Sequence, residues 1–318
     1  MQKIMELKFR VEEADVKSYK RVDLLLNSKI LALSRTKIQE AIKNQKLKIN
    51  NKIITKSNYQ IEINDEIEFE YISEISKKVE PENIKIDVVY EDDYLIAINK
   101  DSGIITHPAG IFKSGTLVNA LLYYGAIKDD EDAIDDYEYR PGVVHRLDKD
   151  TSGLIIFAKS EELQFKLSDI FKQRKIEKKY IAVVYGKLNE TRGIITYPIA
   201  RHKQNRKIMC VSNNGKPAIT EFVLKDYANN YSLLELDLKT GRTHQIRVHL
   251  KAINHPIVGD SLYSTAKKNI RLMLHSYLLR FIHPITNKEL ILTAPLKKEF
   301  VDFCKTNNLN IGTLKIEN

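Results

Sequence analysis

Apolar spacing divides the chain into two stretches with different local habits. In the first, Val22, Leu25 and Leu26 fall on one face of a helix predicted over residues 21–28. Ile38, Ala41 and Ile42 do the same for a second helix over residues 35–44, which Ser34 is placed to cap. Leu47-Lys48-Ile49 alternates as a strand, Asn50-Asn51 supplies a turn, and residues 61–71 alternate again. Residues 76–83, with Lys, Glu and Pro81 but no period, read as a linker. Beyond it, residues 87–90 and 95–100 predict paired strands, residues 115–124 a helix, and residues 180–185 and 232–238 further strands. Ser160 caps a longer helix to about residue 174, whose Leu163, Leu167, Ile170 and Phe171 cover one buried face. Short strands and helices without regular βαβ alternation predict an α+β protein. The expected division is a small domain over residues 1–75, a linker over 76–83 and a larger domain over 84–318.

Composition adds little: 43% hydrophobic and 29% charged residues are ordinary for a globular protein. No apolar run is long enough to cross a membrane, and the charged N-terminus has no signal core, so the expected location is the cytoplasm. Cys210 and Cys304 stand far apart in no metal-type spacing, which suggests neither a disulfide framework nor a zinc site. Charge says more. The formal net charge is +9, and residues 17–56 alone hold eleven Lys/Arg against two acids, Asp23 and Glu40. Further basic groups fall at residues 172–179, 201–207 and 239–251. Clustered cations favour a polyanion, most often nucleic acid, although a solvated basic face has the same composition. The acidic stretch 129–136 reads as a solvated loop or insertion turned away from it.

Two polar clusters are candidates for chemistry. The first is His145-Arg146-Leu147-Asp148-Lys149-Asp150-Thr151-Ser152-Gly153, between the apolar runs Val143-Val144 and Leu154–Ala158, which predict flanking strands. A strand end that presents charge to a cleft can build an active site; a solvated hairpin turn uses the same residue types, with Gly153 serving the turn. The second is Thr240-Gly241-Arg242-Thr243-His244-Gln245-Ile246-Arg247-Val248-His249, where Arg242, Arg247, His244 and His249 can bond phosphates and orient a carboxylate. Familiar alternatives are absent. There is no Gly-x-Gly-x-x-Gly, no His-Glu-x-x-His and no Gly-x-Ser-x-Gly, and Thr116 stands where a phosphate loop after Gly110 needs lysine. Carboxylates, Tyr and Arg remain as candidates.

In this order and separation, the two clusters resemble the RluA-type pseudouridine synthases. Further matches are Glu91-Asp92 with Asn99-Lys100, Lys179-Tyr180, His255-Pro256 with Gly259-Asp260 and Tyr263, Leu274-His275, and Ala294-Pro295-Leu296. Asp101 departs from the proline usual after the lysine. Residues 1–75 resemble an S4-type RNA-binding domain through Arg21-Val22-Asp23, the Ser34-Arg35 helix start and Lys48-Ile49-Asn50-Asn51-Lys52. The resemblance implies a mixed, largely antiparallel central sheet with flanking helices behind a small α+β domain. It implies isomerisation of uridine to pseudouridine within RNA, with no cofactor and no metal. Matching the motifs assigns Asp148 as the catalytic carboxylate, either nucleophile or base. It assigns Tyr180 to stacking on the target base with a part in proton transfer, Arg247 to pairing with Asp148, and Arg146 to filling the space of a flipped uridine. His145, Arg242, His244, Arg35, Lys37 and Arg21 are the further expected RNA contacts. The implied partner is RNA, by analogy large-subunit ribosomal RNA, engaged by a monomer. Transfer RNA as substrate, and a non-catalytic ribosome-assembly factor, are the alternatives.

Overall fold

The computed structural model describes residues 2–30, 33, 35–74, 79–108, 114–128, 140–264 and 270–314. They belong to two compact units, one comprising residues 2–74 and residue 140, the other within 79–128 and 141–314. Ser34, Gly110 and the acidic stretch 129–136 lie outside the described residues, so the expectations placed on them have no structural counterpart.

The smaller unit runs β1 (Gln2–Arg10), α1 (Glu13–Ser18), α2 (Val22–Lys29), α3 (Arg35–Lys43), β2 (Leu47–Ile49), β3 (Lys52–Ile54) and β4 (Glu66–Glu74). Asn50 and Asn51 both adopt left-handed backbone, φ 51° and 63°, the conformation a tight hairpin between β2 and β3 requires. The antiparallel sheet has the order β1-β4-β2-β3. As the spacing predicts, α2 buries Val22, Leu25 and Leu26 and α3 buries Ile38 and Ile42, against Leu47, Ile67 and Phe69 of the sheet. Ala41 is only partly buried. Strand β1 was not expected from the pattern; its full-length pairing with β4 supplies what its charged sequence does not advertise. Asp23 ties α2 to α3. Its buried carboxylate accepts from Arg21 Nε and Nη2, both at 3.0 Å, from Arg35 Nε at 3.1 Å and from Gln39 Nε2 at 2.7 Å. Burial opposes its charge, but these donors outweigh burial and hold its pKa below the ordinary carboxylate value.

The larger unit continues β5 (Val88–Glu91), β6 (Leu95–Lys100), α4 (Leu117–Tyr124), β7 (Ser152–Ala158), α5 (Glu161–Lys172), β8 (Ile176–Tyr185), β9 (Arg192–Ile195), β10 (Ile199–Arg201), β11 (Met209–Val211), β12 (Thr220–Ala228), β13 (Tyr231–Leu238), α6 (Gln245–Ala252), β14 (Leu274–Ile282), β15 (Glu289–Thr293) and α7 (Lys298–Thr306). Its main sheet follows β5-β6-β7-β14-β8-β13-β12-β9, with β15 on β14, and its pairs are antiparallel except β7–β14. Both faces are covered, so residues 95–98 of β6 and 154–158 of β7 read as apolar runs. Leu95, Ala97, Leu154 and Ile156 pack with Leu163 and Leu167 of α5, whereas Ile96, Ile98, Ile155 and Phe157 pack with Leu117 and Leu121 of α4. Each such Leu, Ile or Phe side chain contributes about 1.5–3 kcal/mol by leaving water.

Two expectations change here, and a third gains detail. Val143-Val144 is no strand; Val143 makes an isolated bridge to Phe157. Residues 80–82 of the expected linker are fixed against α4: Asn119 donates to the Glu80 carbonyl at 2.7 Å, and the Glu82 amide donates to the Asn119 carbonyl at 3.0 Å. Gly153 does not serve a turn. It sits inside β7 at φ 109°, opposite Ser276, and a Cβ there would lie 2.1 Å from the Ser276 carbonyl oxygen. Gly153→Ala is therefore expected to lower stability by at least about 2 kcal/mol. A shifted denaturant midpoint at unchanged slope measures it, and an unshifted midpoint contradicts the packing described.

Candidate active site

The first polar cluster is held as a loop by donors from another segment to the carbonyls on either side of Asp148. Lys100, at the end of β6, sends its ammonium to the carbonyls of Asp101, Ile104 and Lys149, each at 2.8 Å. The Gly103 amide also reaches the Lys149 carbonyl, at 2.9 Å. Ser102 Oγ donates to the Asp150 carbonyl at 2.7 Å, and the Thr151 amide closes a turn on the Asp148 carbonyl at 3.1 Å. Leu147 is buried beneath the loop, which leaves Arg146 exposed and the Asp148 carboxylate partly open. Burial pushes the Lys100 pKa down to about 7, against the pull of Asp150 and Asp148. Its three carbonyl acceptors match the three protons of an ammonium and favour the charged form.

The second cluster places Arg247 on the first turns of α6. Its Nη1 donates to Asp148 Oδ2 at 3.3 Å, while Nε and Nη2 form a two-pronged pair with Asp260 at 2.8 and 2.7 Å. Arg247 and Asp260 are 3% and 0% exposed, so the guanidinium is fixed by one carboxylate before it meets the other. Burial works against its charge; Asp260 and then Asp148 outweigh that and push its pKa up. Asp260 also accepts from the amides of Leu262 and Tyr263 at 3.0 and 3.1 Å. His244, at the N-terminal end of α6, has a left-handed backbone at φ 55° and places Nε2 3.8 Å from Asp148 Oδ2.

A cleft of about 480 Å³ opens above Asp148. Tyr180 of β8 lines it, with His244 and Arg247 beside the carboxylate and Arg146, Arg242, Lys172, Arg174 and Lys178 elsewhere on its walls. The space fits one extruded nucleotide in size; its walls mix apolar and polar side chains, and apart from Asp148 their charged groups are cations. Burial, with Asp148 adding to it, raises the Tyr180 pKa to about 12 although nearby Ser276 opposes this, so the side chain is a phenol at neutral pH. It can stack and donate; accepting a proton requires prior ionisation.

Comparison with known proteins speaks to this arrangement directly. The RNA pseudouridylate synthase family model matches residues 94–252, and the S4 domain model matches residues 20–67. An uncharacterized RNA pseudouridine synthase of Chlorobaculum parvum is 37% identical over 91% of this chain and 94% of its own. The ribosomal large subunit pseudouridine synthase D of Escherichia coli K12 is 37% identical over 89% of each chain. Among solved structures, human RNA pseudouridylate synthase domain containing 1 superposes with a TM-score of 0.55 at 27% identity, covering 67% of this chain and 84% of that one. The chain belongs to the RNA pseudouridylate synthase family. An S4 domain precedes the synthase region, as expected from the Arg21-Val22-Asp23 and Lys48–Lys52 stretches.

Within that synthase framework, the structure brings together Asp148, Tyr180, Arg247, Arg146, Arg242 and His244 around one cleft. His145 borders the cleft but is used differently from the expectation. Its ring stacks on Phe171 with centroids 4.4 Å apart, and Nε2 accepts the Ile156 amide at 3.0 Å. Burial, helped by Lys178, drops its pKa to about 3, so it offers no cation to a phosphate. His249 likewise turns inward, to Thr220 Oγ1 and the Tyr197 carbonyl, both at 2.9 Å. Arg21 and Arg35 are committed to Asp23 and keep only part of each guanidinium in solvent; Lys37, on α3, is half-buried. Asp260, Lys100 and Lys178 carry weight that the sequence alone did not assign. Asp260 and Lys100 stood among the family matches without a role, and only the fold shows that one holds Arg247 and the other the Asp148 loop.

Proposed function

We propose that this synthase isomerises uridine in large-subunit ribosomal RNA, working in the cytoplasm as a monomer. The single observation that carries the assignment of the chemistry is the Asp148–Arg247–Asp260 arrangement at the floor of a nucleotide-sized cationic cleft. The reading of the target rests on likeness to the relatives named large-subunit enzymes over nearly the whole chain. In the reaction the N1–C1′ bond breaks, the uracil turns, C5 bonds to C1′, the C5 proton leaves to solvent and N1 is protonated. Asp148 serves the bond-breaking step, by adding to C1′ or by removing a ribose proton. Tyr180 supports the base from its face, and Arg146 occupies the vacated place in the RNA. Among the described residues no helix is long and apolar enough to cross a membrane. Mapping pseudouridine in total RNA from cells with and without the gene tests the target. Loss at large-subunit positions supports it; loss confined to transfer RNA replaces it with the alternative substrate.

We also assign residues 1–75 to RNA binding, 76–83 to a connection and 84–318 to catalysis. Removing residues 1–75 is expected to weaken RNA binding and flatten its salt dependence, because every phosphate no longer neutralised by a Lys or Arg reduces the logarithmic salt slope by about 0.7–0.9. Binding titrations at several salt concentrations measure this, and an unchanged slope takes the segment out of the interface.

A further inference from the structure

We propose that Tyr263 and His244 are positioning residues that link the β10–β11 hairpin to Asp148, by fixing His244 as the neutral tautomer whose Nε2–H faces the carboxylate. This goes beyond the proposed roles of Asp148, Tyr180 and Arg247 and deepens that reading of the site.

The hydrogen bonds favour one assignment of the protons, the one in which the phenol proton has an acceptor. The Met209 amide of β11 donates to Tyr263 Oη at 2.7 Å. An amide cannot accept, so the phenol accepts there and keeps its own proton for another partner. That partner is His244 Nδ1, also at 2.7 Å. Nδ1 is then an acceptor, and the ring's proton resides on Nε2, 3.8 Å from Asp148 Oδ2. The distance is too long for a hydrogen bond in the free protein and short enough for a directed dipole. Three further contacts fix Tyr263. Its amide is held by Asp260, its ring lies 5.1 Å from the Arg247 guanidinium carbon, and it packs with Ile199, Ala218 and Val248 beneath the hairpin. Tyr263 therefore touches both neighbours of Asp148, His244 and Arg247, without lining the cleft itself. The left-handed backbone of His244, uncommon for a residue with a side chain, shows that its surroundings hold it in place.

The functional consequence is electrostatic. A protonated His244 would set a second full cation beside Asp148 and weaken it as nucleophile or base. The phenol proton on Nδ1 opposes this. His244 faces Asp148 and Arg146 from the loop, Arg247 from α6, and Asp260 and Tyr263 from the segment after it. Burial, together with Arg247 and Arg146, lowers its pKa against the pull of the two carboxylates.

Two measurements test the proposal. Imidazole 15N shifts of the wild-type protein at neutral pH are expected to show His244 unprotonated at Nδ1 and protonated at Nε2; an Nδ1–H signal overturns it, whatever the enzyme's activity. In Tyr263→Phe the acid limb of kcat is expected to move up by about 0.7 of a pH unit, the equivalent of one neutral hydrogen bond. At its optimum kcat should fall about 10-fold with KM nearly unchanged. In His244→Gln, whose amide cannot titrate, kcat is expected to fall at least as far as in Tyr263→Phe, and adding Tyr263→Phe to it should move the acid limb no further. An acid limb in Tyr263→Phe identical to that of the wild type, in a variant that melts normally, overturns the link. Failure of the wild type to form pseudouridine at all would instead defeat the functional reading and leave the tautomer assignment standing.

Discussion

Asp148→Asn is expected to lower pseudouridine formation by about 10²- to 10⁴-fold, the range for loss of a positioned acid–base group and a lower bound if the carboxylate is the nucleophile. The substitution is nearly isosteric. The amide can still face Arg247 Nη1 across 3.3 Å, the carbonyl of residue 148 still closes its turn on Thr151, and Leu147 stays buried. Melting temperature and RNA affinity should therefore match the wild type. This separates loss of chemistry from loss of structure, because Arg247 keeps Asp260 as its main partner when the charge on residue 148 is removed. Single-turnover rates with saturating RNA measure it. A variant with normal turnover removes Asp148 from the mechanism.

Arg247→Met is expected to damage both stability and rate. It leaves Asp260 buried without its cation, retaining the amides of Leu262 and Tyr263, and breaking one side of a buried pair costs about 3–5 kcal/mol. Asp148 loses its donor at the same time. Combining Arg247→Met with Asp260→Leu should recover much of the stability, because no buried charge is left without a partner, while the rate stays low. Denaturant midpoints and turnover of the two single variants and the double variant make the test. Recovery of rate together with stability would mean that Arg247 serves only the fold.

The elements that face the core were legible because burial on both sides of the sheet leaves an apolar run. Leu154–Ala158 and residues 180–185 could be read directly, and Ser160 marked the start of α5 by its cap, accepting the Leu163 amide at 3.3 Å. Strand β1 was hidden because Lys3, Glu6, Lys8 and Arg10 interrupt its apolar residues; what defines it is β4, more than fifty residues later. Gly153 was misassigned for the same kind of reason. Its constraint is the carbonyl of Ser276 on a parallel neighbour, and nothing within the loop records that approach. Asp148, Tyr180 and Arg247 belong to motifs legible in the chain, and the fold shows that they meet in one cleft. Asp260 sits in a turn 13 residues after Arg247, and no local pattern links the two until α6 and the turn are packed together. His145 shows a second use that the motif does not record: its ring is bonded to β7 and stacked on α5 while it borders the cleft.

Tritium release from RNA labelled at C5 of uracil tests the central claim most directly, because the C5 proton leaves only when C5 forms the new bond to C1′. With large-subunit ribosomal RNA lacking its pseudouridines, the wild-type protein is expected to release tritium in step with product, without added metal or cofactor. Absence of release on that RNA and on any other cellular RNA, from protein that is folded and binds RNA, would contradict the account.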